Sequence, residues 1–78
     1  MPTELPAWAI AQRRAVGQRV RELRIERKLT QEQLAHLIGL DRKTINRVEQ
    51  ASYGSSIDVY ALIARELDLS LAELFHGV

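Results

Sequence analysis

The chain has no cysteine, which excludes a disulfide framework and a thiolate metal site and fits a reducing, cytoplasmic setting. It has no apolar run near the ~20 residues that span a bilayer. Arg13 and Arg14 follow the apolar stretch 7–11 instead of preceding it, so no secretory leader is expected. Met1 reads as a natural start. There are two prolines, Pro2 and Pro6, both in the first six residues, so nothing beyond them breaks a helix by ring geometry. No alternating strand pattern, low-complexity tract or repeat of 20–50 residues is present. The two histidines, His36 and His76, have no metal-ligand spacing. No Ser-His-Asp order, Gly-rich phosphate loop or paired catalytic carboxylates occurs. The composition therefore points to neither an enzyme nor a cofactor protein.

What remains is a chain of 78 residues, enough for one domain with a thin core. Its net charge of +1 hides an asymmetry. Residues 13–50 carry ten Lys/Arg against Glu22, Glu26, Glu32, Asp41 and Glu49, a net of +5, while residues 51–78 carry Arg65 against Asp58, Glu66, Asp68 and Glu73, a net of −3. A basic front suits a polyanion, although ordinary solvated helix surface gives the same count.

Helix formers run from Ala7 to Lys28, with Pro6 suited to the first turn. Val16, Val20 and Leu23, with Ala15 beside them, mark a buried stripe. Gly17 costs about 1 kcal/mol against Ala in a helix, and its small size suits close approach by another helix. Thr30 with Gln33 forms a capping box for a helix over 31–38, and Gly39 suits the left-handed position after it. Asp41 caps a third helix over 42–50, Ser56 a fourth over 57–67, and Ser70 with Glu73 a fifth over 71–75, stopped by Gly77. Residues 51–55 read as a loop.

The segment 31–50 has the spacing of two short helices crossing at a tight turn. Ala35 is small where they must nearly touch, Gly39 permits positive φ at the turn, and Leu34, Ile38, Leu40, Ile45 and Val48 pin both helices inward. Arg42, Lys43, Asn46 and Arg47 are then left facing outward. Arg and Lys suit guanine O6/N7 and Asn suits adenine N6/N7 in a major groove wide enough for one helix. A solvated helix face is the plainer alternative.

Residues 16–75 resemble the phage repressor and Cro (XRE-like) family of helix-turn-helix regulators. The resemblance rests on Val16-Gly17, Val20, Leu23-Arg24, Leu29-Thr30-Gln31, Leu34-Ala35, Ile38-Gly39-Leu40, Ile45, Val48-Glu49, Ile63-Ala64, Leu67, Leu69-Ser70 and Glu73-Leu74. It implies an all-α, five-helix lambda-repressor-like domain over 15–78, preceded by an arm and helix extension over 1–14. It implies binding of double-stranded DNA, usually as a homodimer, and control of transcription. Arg42, Lys43, Asn46 and Arg47 match base-facing positions. Gln31 matches a phosphate contact that buttresses the first recognition residue. Gln50 and the loop at 52–56 match positions near phosphate, which adds Thr44, Tyr53 and Ser55 to the candidate DNA-facing set. Arg24 and Glu49 match a semi-buried ion pair. The loop after Glu49 departs from the family's usual Gly and Pro, and Tyr53 there either stacks on the DNA backbone or covers the core.

Two apolar features are left over. Trp8 is expected to fold onto the core as the first helix lengthens, the alternative being a subunit contact. Leu69, Leu71, Leu74 and Phe75 crowd a helix too short to bury them all, so they are expected to form a dimer interface. Two recognition helices would then lie ~34 Å apart on a near-palindromic operator. The competing use of that patch is docking of a toxin or a polymerase subunit, as in an antitoxin or interaction module.

Overall fold

The computed structural model describes residues 5–52 and 54–78; the Tyr53 expectation and residues 1–4 of the arm lie outside them. It contains α1 (Ala7–Glu26), α2 (Gln31–Leu37), α3 (Arg42–Gln50), α4 (Ile57–Glu66) and α5 (Leu71–Leu74), and no strand among the described residues. The expected all-α, five-helix architecture is present, and α3 has the expected limits. The other four helices end one or two residues earlier than their apolar patterns suggested.

Each short helix is started by a side chain that replaces a missing backbone acceptor. Thr30, Asp41, Ser56 and Ser70 each accept from the backbone N–H three residues on, and Thr30–Gln33 and Ser70–Glu73 are complete capping boxes. Pro6 is the N-cap residue of α1, in extended backbone, one place before the first turn where it was expected.

Four of the helices stop at a residue that turns left-handed: Lys28 after α1, Gly39 after α2, Ala51 after α3 and Asp68 after α4. At each, its own N–H and that of the next residue reach back into the last turn: Lys28 to Ile25 and Leu29 to Arg24, Gly39 to His36 and Leu40 to Ala35, and likewise after α3 and α4. This is the paired closure that satisfies orphan helix carbonyls. Only one of the four turning residues is glycine, so composition marked only that stop.

The core is built from Val20 of α1, Leu34 and Ala35 of α2, Ile45 and Val48 of α3, Ile63 and Ala64 of α4 with Leu67 just past it, and Leu74 of α5. Burying one such Ile or Leu contributes about 1.5–3 kcal/mol. Val16 and Leu23 pack against this cluster, but Ala15 is exposed and lies outside the stripe. The expectation that Trp8 covers the core is overturned: it is 69% exposed. It sits in the first turn of α1, on a face that the core does not cover. Leu74 is also corrected. It is fully buried within its own chain, so it presents no surface to a second subunit.

Arg19 of α1 and Arg27 just past its end tie down the C-terminal elements. Arg19 donates through Nε to the Leu74 carbonyl at 2.8 Å and through Nη2 to the Glu73 carbonyl at 2.7 Å. Arg27 donates through Nη2 to the Leu67 carbonyl at 2.5 Å and pairs with Asp68 at 3.4 Å. These are cations at helix C-termini, where exposed carbonyls concentrate partial negative charge. Nothing in the local sequence pattern marked them for this use.

Candidate nucleic-acid interface

The two central helices meet as their spacing requires. Ala35 is fully buried, so a larger side chain there would force α2 and α3 apart. Gly39 turns the chain at φ +74°. Ile45 and Val48 lie at 0% and 1% exposure on the inner face of α3. Arg42, Lys43 and Arg47 are exposed on the opposite side, with Asn46 half-buried at its edge.

Behind α3, Gly17 lets α1 lie directly on the recognition helix. A β-carbon at that position would stand 2.5 Å from the Val48 carbonyl oxygen and 2.9 Å from that of Glu49. The close approach expected of Gly17 is therefore made against the end of α3.

The Arg24–Glu49 pair is present and bidentate. Arg24 Nε donates to Glu49 Oε2 at 2.7 Å and Nη2 to Oε1 at 2.9 Å, while Nη1 donates to the Leu29 carbonyl at 2.7 Å. The side chains are 10% and 1% exposed. The hydrogen bonds to Glu49 raise the Arg24 pKa above its ordinary value against the opposing effect of burial. No buried side-chain N or O among the described residues lacks a partner.

Gln31 links this pair to the outward face. Its Nε2 donates to Glu49 Oε1 at 3.2 Å, and its Oε1 accepts from Asn46 Nδ2 at 3.4 Å and Arg42 Nη1 at 3.5 Å. The contact with Glu49 went unforeseen, because the two residues are 18 positions apart and neither has a partner in its own helix. Thr44 is half-buried and its hydroxyl donates to Asp41 Oδ1 at 2.7 Å. That bond and the backbone bond from Thr44 hold the Asp41 carboxyl below its usual pKa. Thr44, Arg47, Gly54, Ser55, Ser56 and Val59 line a shallow groove, so the loop after α3 stands beside the recognition helix. Gln50 is exposed at the end of α3. His36 and His76 are both exposed, and the described residues hold no cluster of His, Cys, Asp or Glu able to bind a metal.

A packed helix pair, a buried ion pair behind it and a basic outer face form a single arrangement over α1 to α3, and residues 20–74 match the family model described as helix-turn-helix. The chain belongs to the XRE-type helix-turn-helix family of DNA-binding transcription regulators. It is 36% identical over 59 residues to the immunity repressor protein of Bacillus phage phi105, covering 76% of this chain and 41% of that protein. The chain thus spans about two fifths of that repressor's length. An HTH-type transcriptional regulator of Archaeoglobus fulgidus is 37% identical over 57 residues, covering 73% of this chain and 81% of that protein. Among solved structures, the restriction-modification controller protein C.AhdI from Aeromonas hydrophila superposes with a TM-score of 0.78 at 40% identity, covering 83% of this chain and 94% of the other. The transcription factor NHTF from Neisseria gives 0.77 at 26% identity, covering 96% and 85%.

Proposed function

We propose that this helix-turn-helix protein is a sequence-specific regulator that binds double-stranded DNA as a homodimer on a near-palindromic operator. The observation that carries the reading is the division of α3. Ile45 and Val48 fix it inward, which leaves Arg42, Lys43, Asn46 and Arg47 on a face of the size and chemistry that a major groove accepts. Arg42, Lys43, Asn46 and Arg47 supply selectivity. Gln31, Thr44, Gln50, Ser55 and the backbone around them supply phosphate contacts that set register without reading sequence.

Exposed Ile57 and Leu62 on α4, with half-buried Leu69, Leu71 and Phe75, support a two-fold contact through the C-terminal helices. Leu74 is not part of it. The likeness to C.AhdI supports a regulator of a restriction-modification gene pair as the working role. No described helix is long and apolar enough to cross a membrane, and a cytoplasmic, nucleoid-bound protein is the corresponding expectation.

Selection and sequencing of bound duplexes at two salt concentrations tests this reading. A two-fold symmetric motif, with a sedimentation coefficient matching a dimer, supports it. Binding that is salt-sensitive but free of any motif overturns it in favour of a fold that needs a protein partner for specificity.

A further inference from the structure

The polarity of the hydrogen bonds behind α3 has a direction that begins in the core. An ionised carboxylate only accepts hydrogen bonds, and a guanidinium only donates them. Glu49 is 1% exposed at its side chain, and both its oxygens accept from Arg24. Gln31 can therefore meet Glu49 only with its Nε2 end, as found at 3.2 Å. Its carbonyl oxygen is then forced toward α3, where it accepts from Asn46 Nδ2 at 3.4 Å and Arg42 Nη1 at 3.5 Å. Asn46 turns its amino group inward and leaves its Oδ1 toward the open side of the helix.

We infer that the buried Arg24–Glu49 pair is a specificity-determining element: acting through Gln31, it sets the side-chain amide of Asn46 so that an acceptor faces the DNA. Arg24, Glu49 and Gln31 are positioning residues, and Asn46 is the group that touches the base. The inference rests on the reading of α3 as the recognition helix. An outward Oδ1 calls for a base with an exocyclic amine in the major groove, adenine N6 or cytosine N4, and disfavours the acceptor edges of guanine and thymine. Both Glu49 oxygens accept from Arg24, and Oε1 accepts from Gln31 as well. Glu49→Gln leaves a single acceptor for these three donors, so the Gln31 amide loses its fixed orientation and the preference at that base pair weakens. Gln31→Leu removes the link but leaves the ion pair intact.

The experiment is selection and sequencing of bound duplexes for the wild type, Asn46→Ala, Gln31→Leu and Glu49→Gln, with side-chain amide NMR of the DNA-free proteins alongside. Asn46→Ala identifies the base pair read by that residue. The wild type is expected to prefer adenine or cytosine there by roughly tenfold or more. Gln31→Leu should flatten that preference at this pair while keeping the rest of the motif, and Glu49→Gln should weaken it. In the free protein, the Asn46 amide signals should move in Gln31→Leu. A merely structural role for Glu49 would instead lower affinity for all sequences alike. If the wild type enriches no motif, the regulator reading fails. If a motif appears and Gln31→Leu leaves the preference at that pair intact, the relay is overturned. Asn46 amide signals unmoved by Gln31→Leu overturn it without reference to DNA, so a poorly folded Glu49→Gln variant still leaves two decisive tests.

Discussion

The carbonyl oxygen of Val48 lies 2.5 Å from where a β-carbon on Gly17 would stand. The obstacle is backbone, which cannot rotate aside. Gly17→Ala gains about 1 kcal/mol in helix propensity, yet it must push α1 off α3 at a cost of about 1–3 kcal/mol or more. The expected outcome is a net loss of stability in urea melts, together with weaker DNA binding because the recognition helix shifts.

Breaking the buried ion pair is expected to cost more. Arg24→Met leaves the Glu49 carboxylate, 1% exposed, without its partner, a loss of about 3–5 kcal/mol. For a domain with total stability of roughly 4–12 kcal/mol, that approaches unfolding. The double variant Arg24→Met/Glu49→Leu removes both charges and should recover most of the loss. Denaturant midpoints of the three proteins check this.

Acid should weaken two helix starts. The bonds from Thr44 lower the Asp41 pKa, and those from Ser70 lower that of Glu73. A carboxyl whose folded pKa is depressed contributes stability above its unfolded pKa, near 4, and that contribution is lost as pH falls through the lower folded value. Thermal midpoints should hold near neutral pH and fall below about pH 4. Asp41→Asn keeps a capping oxygen without a titrating charge, so its midpoint should fall less steeply over the same range.

Ala51 stands in left-handed backbone at φ +57° with no glycine to relieve it. Ala51→Gly removes a strain of roughly 1–2 kcal/mol against an entropic cost of about half that. A gain of about 0.5–1 kcal/mol is expected, with no change in DNA binding, measurable as a raised thermal midpoint.

Much of this was legible beforehand, for reasons that differ by residue. The starts of α2 to α5 were readable because a cap is a local bond between a Ser, Thr or Asp and a backbone three residues on. Ala35, Gly39 and Ile45 were readable because a tight helix crossing admits few alternatives at those places. The stop at Lys28 was not, because a left-handed lysine is chosen by the packing of Leu29 onto the core. Trp8 and Leu74 exchanged their expected environments, since pattern alone does not say which apolar residue a small core has room for. The Gln31–Glu49 contact depends on how two helices cross, which no local spacing encodes.

The basic front was also overcounted as a DNA surface. Of the ten cations in residues 13–50, Arg19, Arg24 and Arg27 are engaged with groups of their own chain. With these three held by their own chain, the salt slope of DNA binding per subunit should fall short of the roughly 0.9 per contact summed over all ten cations. Arg42→Ala should cost about 1–3 kcal/mol on the operator and far less on random DNA if it reads guanine. Anisotropy titrations over a salt series measure both.

The grip of Arg19 on the carbonyls of Glu73 and Leu74 joins positions 54 and 55 residues apart. Loops that long close late. During synthesis the helix-turn-helix segment leaves the ribosome well before the helix that completes its core. A chain halted short of Leu74 would carry Arg42, Lys43, Asn46 and Arg47 and still lack a side chain that the core buries completely.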